Sequence, residues 1–149
     1  MLYYKHGDLL TSDCDVILHQ TNCFSITGSG IAKSIKMQFP EAYIADFKST
    51  MTPEEKLGNF TVGYSSGKYI YNIYGQYNIN LNSDEKDYSA LYSGLDKAFA
   101  HIKENLGDVK VGAPYRMACG FAGGDWKIVK RIFRVLCELH DISLHIYKL

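Results

Sequence analysis

Two glycine-bearing stretches hold most of the residues that could do chemistry. They are Asn22-Cys23-Phe24-Ser25-Ile26-Thr27-Gly28-Ser29-Gly30-Ile31-Ala32 and Ala118-Cys119-Gly120-Phe121-Ala122-Gly123-Gly124-Asp125-Trp126. Glycine adopts positive φ and lets the backbone approach a ligand closely, so successive N–H groups can converge on an anion. Each stretch runs into a helical pattern whose first N–H groups and dipole end favour the same anion. Taken singly, each loop is more readily structural, because strand-to-helix connections favour glycine anyway. Taken together, they fit a clamp on the diphosphate of a nucleotide. A dinucleotide-binding fingerprint fits poorly, because the glycines come late after the strand and Asp46 lies in a helical stretch. A Walker A loop is absent.

The elements that must position these loops follow from periodicity. Leu2 to Lys5 reads as a short strand ending at His6-Gly7-Asp8, and Val16-Ile17-Leu18 continues into His19-Gln20 as a strand buried on both faces. Ile31, Ile35 and Phe39 share a helical face that Pro40 stops, and Glu41 to Lys48 is a second amphipathic segment. Thr52-Pro53-Glu54-Glu55 marks a short helix start closed by Gly58. Phe60 to Tyr64 and Lys68 to Tyr74 flank Ser65-Ser66-Gly67 as a hairpin, and Gly75 to Asp87 is a long polar loop. Tyr88 to Leu106 carries Leu91, Leu95, Phe99 and Ile102 at helical spacing, and Val109 to Ala113 is a strand. Trp126 to Leu139 is helical, with Ile128, Ile132, Val135 and Leu139 as its inward face, and Ser143 to Tyr147 is the last strand. Strands alternating with helices imply an α/β domain of three layers around a mostly parallel sheet.

Composition narrows the function classes. The chain has 149 residues, 46% of them hydrophobic, which suits one domain with a sizeable core. Its 16 Lys and Arg balance 16 Asp and Glu, so no general basic excess is present to draw in a nucleic-acid backbone. The one good candidate for a local basic strip is Lys127, Lys130, Arg131 and Arg134. Cys14, Cys23, Cys119 and Cys137 are scattered without metal-ligand spacing, so no metal site is expected and the thiols read as those of a reduced protein. No signal peptide and no membrane-length apolar run are visible, so a cytoplasmic monomer with no membrane partner is expected.

The set Gly7-Asp8-Leu9, His19-Gln20-Thr21-Asn22 through Gly28-Ser29-Gly30-Ile31-Ala32, and Cys119 through Trp126 resembles the macro domain family over nearly the whole chain. The similar branch contains ADP-ribose-1″-phosphate phosphatases, terminal ADP-ribose glycohydrolases and DNA ADP-ribosyl glycohydrolase antitoxins. The resemblance implies one three-layer α/β/α macro domain over residues 1–149, with a mixed, mostly parallel sheet. It implies ADP-ribose or ADP-ribose 1″-phosphate as ligand, with no cofactor. An ADP-ribosylated protein or nucleic acid is a further possible substrate.

By that resemblance Asp8 accepts from the adenine amine, with Gly7 and Leu9 beside it and Tyr147 and Leu149 walling the adenine pocket. Asp8 as a plain turn residue, and the chain end as a plain core strand, are the alternatives. The first loop, with Gln20, Thr21, Gly28, Ser29, Gly30, Ile31 and Ala32, lies along the distal ribose and one phosphate. The second carries the other phosphate on the backbone of Ala118, Cys119, Gly120, Phe121, Ala122, Gly123 and Gly124. Asn22 holds the distal ribose hydroxyls, which fixes the anomeric carbon relative to an attacking group. His19 and Asp125 complete the catalytic set, and the alternatives are a core histidine and an N-cap. One departure stands out: glycohydrolases of this branch use a lysine where this chain has Gly75-Gln76. A water-mediated hydrolysis at the 1″ position is therefore expected, with Gln76 placing substrate or water. A non-catalytic ADP-ribose reader is the alternative, and a stacking platform on Tyr69 to Tyr77 is a third reading.

Overall fold

In a computed structural model that describes residues 1–26, 30–76, 87–119 and 123–149, the strands are β1 Leu2–His6, β2 Val16–Asn22, β3 Phe60–Ser65, β4 Lys68–Gln76, β5 Val111–Pro114 and β6 Leu144–Lys148. The helices are α1 Gly30–Gln38, α2 Pro40–Lys48, α3 Pro53–Lys56, α4 Ser89–Asn105 and α5 Trp126–His140. The strand order is β1-β6-β5-β2-β4-β3, with every neighbouring pair parallel except antiparallel β3 and β4. This is the α/β, mixed but mostly parallel sheet that the alternation of elements implies.

Both faces of the sheet are covered, which explains the unbroken apolar run of β2. Val16 and Leu18 join the core beneath α4 and α5, while Ile17 joins a second core with Ile35, Phe39 and Ala42 from α1 and α2. The period of two divides β4 in the same way, with Tyr71 and Ile73 on the first core and Ile70 on the second. Tyr71, Ile73 and Tyr74 are fully buried, so the described part of the tyrosine-rich stretch is a core strand and offers no stacking platform. Residues 77–86 lie outside the described residues.

Local chemistry sets the connections. Ser66 and Gly67 both take positive φ between the paired Ser65 and Lys68, the two-residue hairpin turn whose twist suits the strands. Pro40 ends α1 and also stands at the first position of α2, where a missing N–H costs nothing. Thr52 and Glu55 form a reciprocal capping box on α3. Gly63 is required by packing, because a Cβ there would lie 2.5 Å from the Glu41 carbonyl oxygen of α2.

The inward face of α5 differs from the expectation. Val129, Ile132, Phe133, Leu136 and Cys137 are buried, while Ile128, Val135 and Leu139 are 38%, 47% and 64% exposed. Only Ile132 belongs to both rows. No helix among the described residues is long and apolar enough to cross a membrane.

Candidate functional site

The carboxyl ends of β1, β5 and β6 open on one cleft of about 500 Å³, where an open α/β sheet collects its ligands. Gly7, Asp8 and Leu9 leave β1 on one side of it, and Gly30 and Ile31 begin α1 on another. Tyr147 and Leu149, from the end of β6, complete the part of the wall that the sequence anticipates.

Each wall is fixed by identifiable bonds. The Gly7 N–H donates to the Lys148 carbonyl at 2.9 Å, and Gly7 turns the chain at φ 142°. Asp8 then caps a single 3-10 turn, Leu9–Thr11, its Oδ1 accepting from the Leu10 N–H at 3.0 Å. Asp8 is therefore a turn residue and a cleft residue at once. Leu9 is buried beneath the cleft, in space that Gly112 leaves open. A Cβ on Gly112 would lie 2.6 Å from the Leu9 Cδ1.

The first loop is organised by Asn22. Its Oδ1 accepts from the N–H groups of Phe24 at 2.9 Å and Ile26 at 3.3 Å, and its Nδ2 donates to the Ile26 carbonyl at 2.7 Å. The amide thus shapes its own loop, with Ser25 at φ 57°. Gly28 and Ser29 lie outside the described residues. Gly30 enters α1 at φ 66°, its backbone facing the cleft.

The second loop is pinned where it begins and ends. Ala118 takes φ 65°, and its carbonyl accepts from the Gly124 N–H at 2.9 Å. A Cβ on Gly124 would lie 2.4 Å from that same oxygen, so only glycine closes the loop in this way. The Cys119 N–H donates to the Arg116 carbonyl at 2.9 Å, and Gly123 takes φ 76°. Gly120, Phe121 and Ala122 lie outside the described residues. Asp125 follows as the N-cap of α5, its Oδ1 accepting from Lys127 N–H at 2.9 Å and its own N–H donating to the Tyr88 hydroxyl at 2.9 Å. No bond among the described residues engages its second carboxylate oxygen, and the residue is exposed.

Several expected residues stand elsewhere. β2 runs on past His19-Gln20 to Asn22, and the His19 ring faces α1 and α2 at 3% exposure. Its Nε2–H donates to Asn72 Oδ1 at 2.6 Å, and Asn72 in turn donates to the Ala42 carbonyl and to Thr61. From Thr61 the polar seam runs on through Tyr74 to Asp46, which forms a buried ion pair with Lys56 at 2.9 Å. Burial holds His19 below the ordinary histidine range, only partly offset by the Asn72 hydrogen bond. Thr21 and Ala32 line a small space beside His19, not the cleft. Gln20 packs over Gly75, where a Cβ would meet its Oε1 at 2.4 Å. The Gln76 carbonyl accepts from Cys23 Sγ.

The cleft also takes residues that the motifs do not contain: Ser34, Gln38, Pro114, Tyr115 and Lys148. Ser34 and Gln38 continue the row of Ile31 along α1, a signal present in helical spacing. Tyr115 follows the end of β5 directly. Its ring packs edge-on against Trp126 at 5.2 Å, which joins this wall to the start of α5.

No family model matches the chain. It is 29% identical over 153 residues to a DNA ADP-ribosyl glycohydrolase of Mycobacterium tuberculosis, an alignment covering 99% of this chain and 42% of the relative. The chain thus spans less than half the length of that curated relative. It is also 29% identical over 140 residues to an uncharacterized 17.5 kDa protein of Enterobacteria phage T4, covering 87% of this chain and 85% of that one. Among solved structures, the macrodomain of Mycobacterium tuberculosis DarG superposes with a TM-score of 0.80 at 24% identity, over 100% of this chain and 98% of that one. The chain has the macrodomain fold. Thermosipho africanus DarTG, solved in complex with ADP-ribose, matches with a TM-score of 0.74 at 18% identity, over 97% of this chain and 41% of that one.

The lysine that precedes Gly75-Gln76 in the sequence, Lys68, lies away from this end of the sheet. It begins β4 at the far end, where its Nζ donates to the carbonyls of Ser12 and Cys14. Lys86 lies outside the described residues. The described residues contain no cluster of three or more His, Cys, Asp or Glu able to hold a metal.

Proposed function

We propose that this macrodomain binds ADP-ribose in the cleft and hydrolyses a bond at the 1″ carbon of the distal ribose. The observation that carries the reading is one cleft lined by both Asp8 and the opening turn of α1. Asp8 accepts from the adenine amine, and Leu9, Tyr115 and Tyr147 give the base apolar and aromatic surface. The N terminus of α1 supplies N–H groups for one phosphate, and the second loop offers the other those N–H groups that it does not use in its own turns. The ADP-ribose complex of the Thermosipho relative supports the same ligand.

For the reaction, Asp125 is the group with a free carboxylate oxygen beside the second loop. It takes a proton from a water whose oxygen bonds to C1″ as the bond to the leaving group breaks. The leaving group is phosphate in ADP-ribose 1″-phosphate, or the attachment atom of an ADP-ribosylated macromolecule. Asn22 acts by holding the first loop in shape, and His19 belongs to the polar seam. A reader without turnover is the second reading, favoured by the capping bond that already occupies one oxygen of Asp125.

Calorimetry with ADP-ribose tests binding, and release of phosphate or ADP-ribose from the two substrate types tests turnover. Asp8→Ala should weaken ADP-ribose binding at least 10-fold. Unchanged affinity in that variant refutes the placement of adenine, and binding without product establishes the reader.

A further inference from the structure

One wall of the cleft carries a charge that the proposed ligand does not use. Lys148 is the one cation among the described residues that line the cleft, and Asp8 is the one acidic side chain. The Gly7 N–H donates to the Lys148 carbonyl at 2.9 Å, which fixes Lys148 beside the turn that carries Asp8. Its neighbours Tyr147 and Leu149 line the same cleft. The Lys148 side chain is exposed and lies over Tyr115, its Nζ 5.1 Å from the ring centre, and Trp126 packs edge-on against that ring at 5.2 Å. His6, also exposed, is the register partner of Lys148 on β1, so the two side chains leave one face of the parallel pair side by side. Neither forms an ion pair among the described residues.

We infer that the cleft takes ADP-ribose bearing a phosphate on the 2′ hydroxyl of the adenine-linked ribose, with Lys148 as the group that pairs with it. The inference rests on the proposed seat of adenine beside Asp8. In ADP-ribose the only anion is the diphosphate, and the opening of α1 and the second loop meet it with N–H groups. A lysine at the adenine end has no such partner there. The base is bonded to C1′, so the 2′ oxygen is the sugar hydroxyl closest to it, and the residues on either side of Lys148 wall the base. Dinucleotide sites built for a bare 2′ hydroxyl place a carboxylate at this edge of the sugar, whereas those for a 2′-phosphate place a cation there. Here the one acidic side chain of the cleft is directed to the adenine amine, and the group left for the sugar edge is an ammonium. Its hold on Tyr115 is an exposed cation–π contact, weak enough to be given up for a dianion. His6 sets a second basic side chain beside the first.

The test is calorimetry of the full chain with ADP-ribose and with ADP-ribose 2′-phosphate, on the wild type, K148Q and K148R. The wild type should bind the 2′-phosphate form at least about 5-fold more tightly, the scale of one partly exposed charge-assisted contact, and that ratio should fall as salt is raised. K148Q should bring the ratio to about 1, as for a surface pair that no longer exists, while K148R keeps most of the preference because arginine also matches phosphate oxygens. A wild type that binds both ligands equally, or ADP-ribose more tightly, overturns the inference. So does an undiminished preference in K148Q, which would assign the 2′-phosphate to another group. Equal weakening of both ligands in K148Q overturns it as well, because Lys148 would then serve the diphosphate that the two share. Each of these outcomes leaves the seat of adenine and the proposed function standing. Binding of neither ligand by the wild type removes the proposed function and this inference together.

Discussion

Asp125 caps α5 and, in the proposed mechanism, also acts as the base, two roles that substitution can separate. One oxygen caps α5 by accepting from Lys127 N–H at 2.9 Å, and the other is free for water. Asp125→Ala removes both roles. Loss of an N-cap costs about 1 kcal/mol, which in a domain of this size lowers the Tm by about 2–4 °C. Asp125→Asn keeps the cap, since asparagine caps as well as aspartate, and loses only the charge beside the helix dipole, about 0.3–1 kcal/mol. For turnover the two variants should be alike, because neither retains a base. A general base contributes about 10²–10⁴-fold, and both should lose activity in that range while ADP-ribose affinity changes less than about 3-fold, as expected for a group that contacts water more than ligand. Thermal melts and single-turnover product release on each protein make the comparison. If Asp125→Asn releases product at the wild-type rate, the carboxylate is a cap and the mechanism is wrong. If Asp125→Ala melts with the wild type, the capping bond contributes nothing and the structural half of the reasoning fails.

Gly124→Ala places a Cβ 2.4 Å from the Ala118 carbonyl oxygen, a backbone atom that cannot rotate away. Overpacking of this kind costs roughly 1–3 kcal/mol, and breaking the loop closure should weaken ADP-ribose binding at least 10-fold by calorimetry. An alanine variant that binds normally would show that the closure of residues 118–124 does not shape the phosphate site. His19 makes stability depend on pH. Burial depresses its pKa in the folded state below the ordinary 6.5, so the unfolded chain binds the extra proton. Stability is therefore full above about pH 6.5 and falls as the pH drops below it, by up to about 1.4 kcal/mol per unit for one proton. His145, also pushed down by burial, acts in the same direction, so the measurement is denaturant unfolding of His19→Gln against wild type between pH 5 and 7.5. Equal pH slopes in the two proteins would show that His19 takes up its proton in the fold.

The order of elements was legible because each has its own punctuation: Pro40 between two helices, the Thr52 capping box, Ser66-Gly67 between two strands, and Gly107 after α4. The face of α5 was not, although the helix itself was. Its apolar residues form two overlapping rows that share Ile132, and a 3.6-residue period accepts either one. The charges decide between them. Lys127, Arg131 and Arg134 point one way, and the row opposite them is Val129, Ile132, Phe133 and Leu136, which is the buried one. A pattern read from apolar residues alone discards that half of the information.

The site shows a similar division between what spacing reveals and what only packing reveals. Glycines mark where the backbone must come close, so Gly7, Gly30 and the Gly123-Gly124 pair lead to the right end of the sheet. Side-chain direction along β2 is another matter. A strand covered on both faces is apolar on both, so nothing in Val16 to Asn22 tells which side His19 takes. It takes the side of α1 and α2, where its Nε2 bonds to Asn72 and its buried Nδ1 has no hydrogen-bond partner among the described residues. On the proposed reading the ligand is held by backbone N–H groups of the two loops and the Asp8 carboxylate, and the reaction uses the Asp125 oxygen that does not cap α5. In the proposed mechanism binding thus depends on loop shape, spread over many residues, while the reaction depends on a single atom. That asymmetry is why substitution of Asp125 should abolish turnover without releasing the ligand, and why glycine substitutions should release the ligand first.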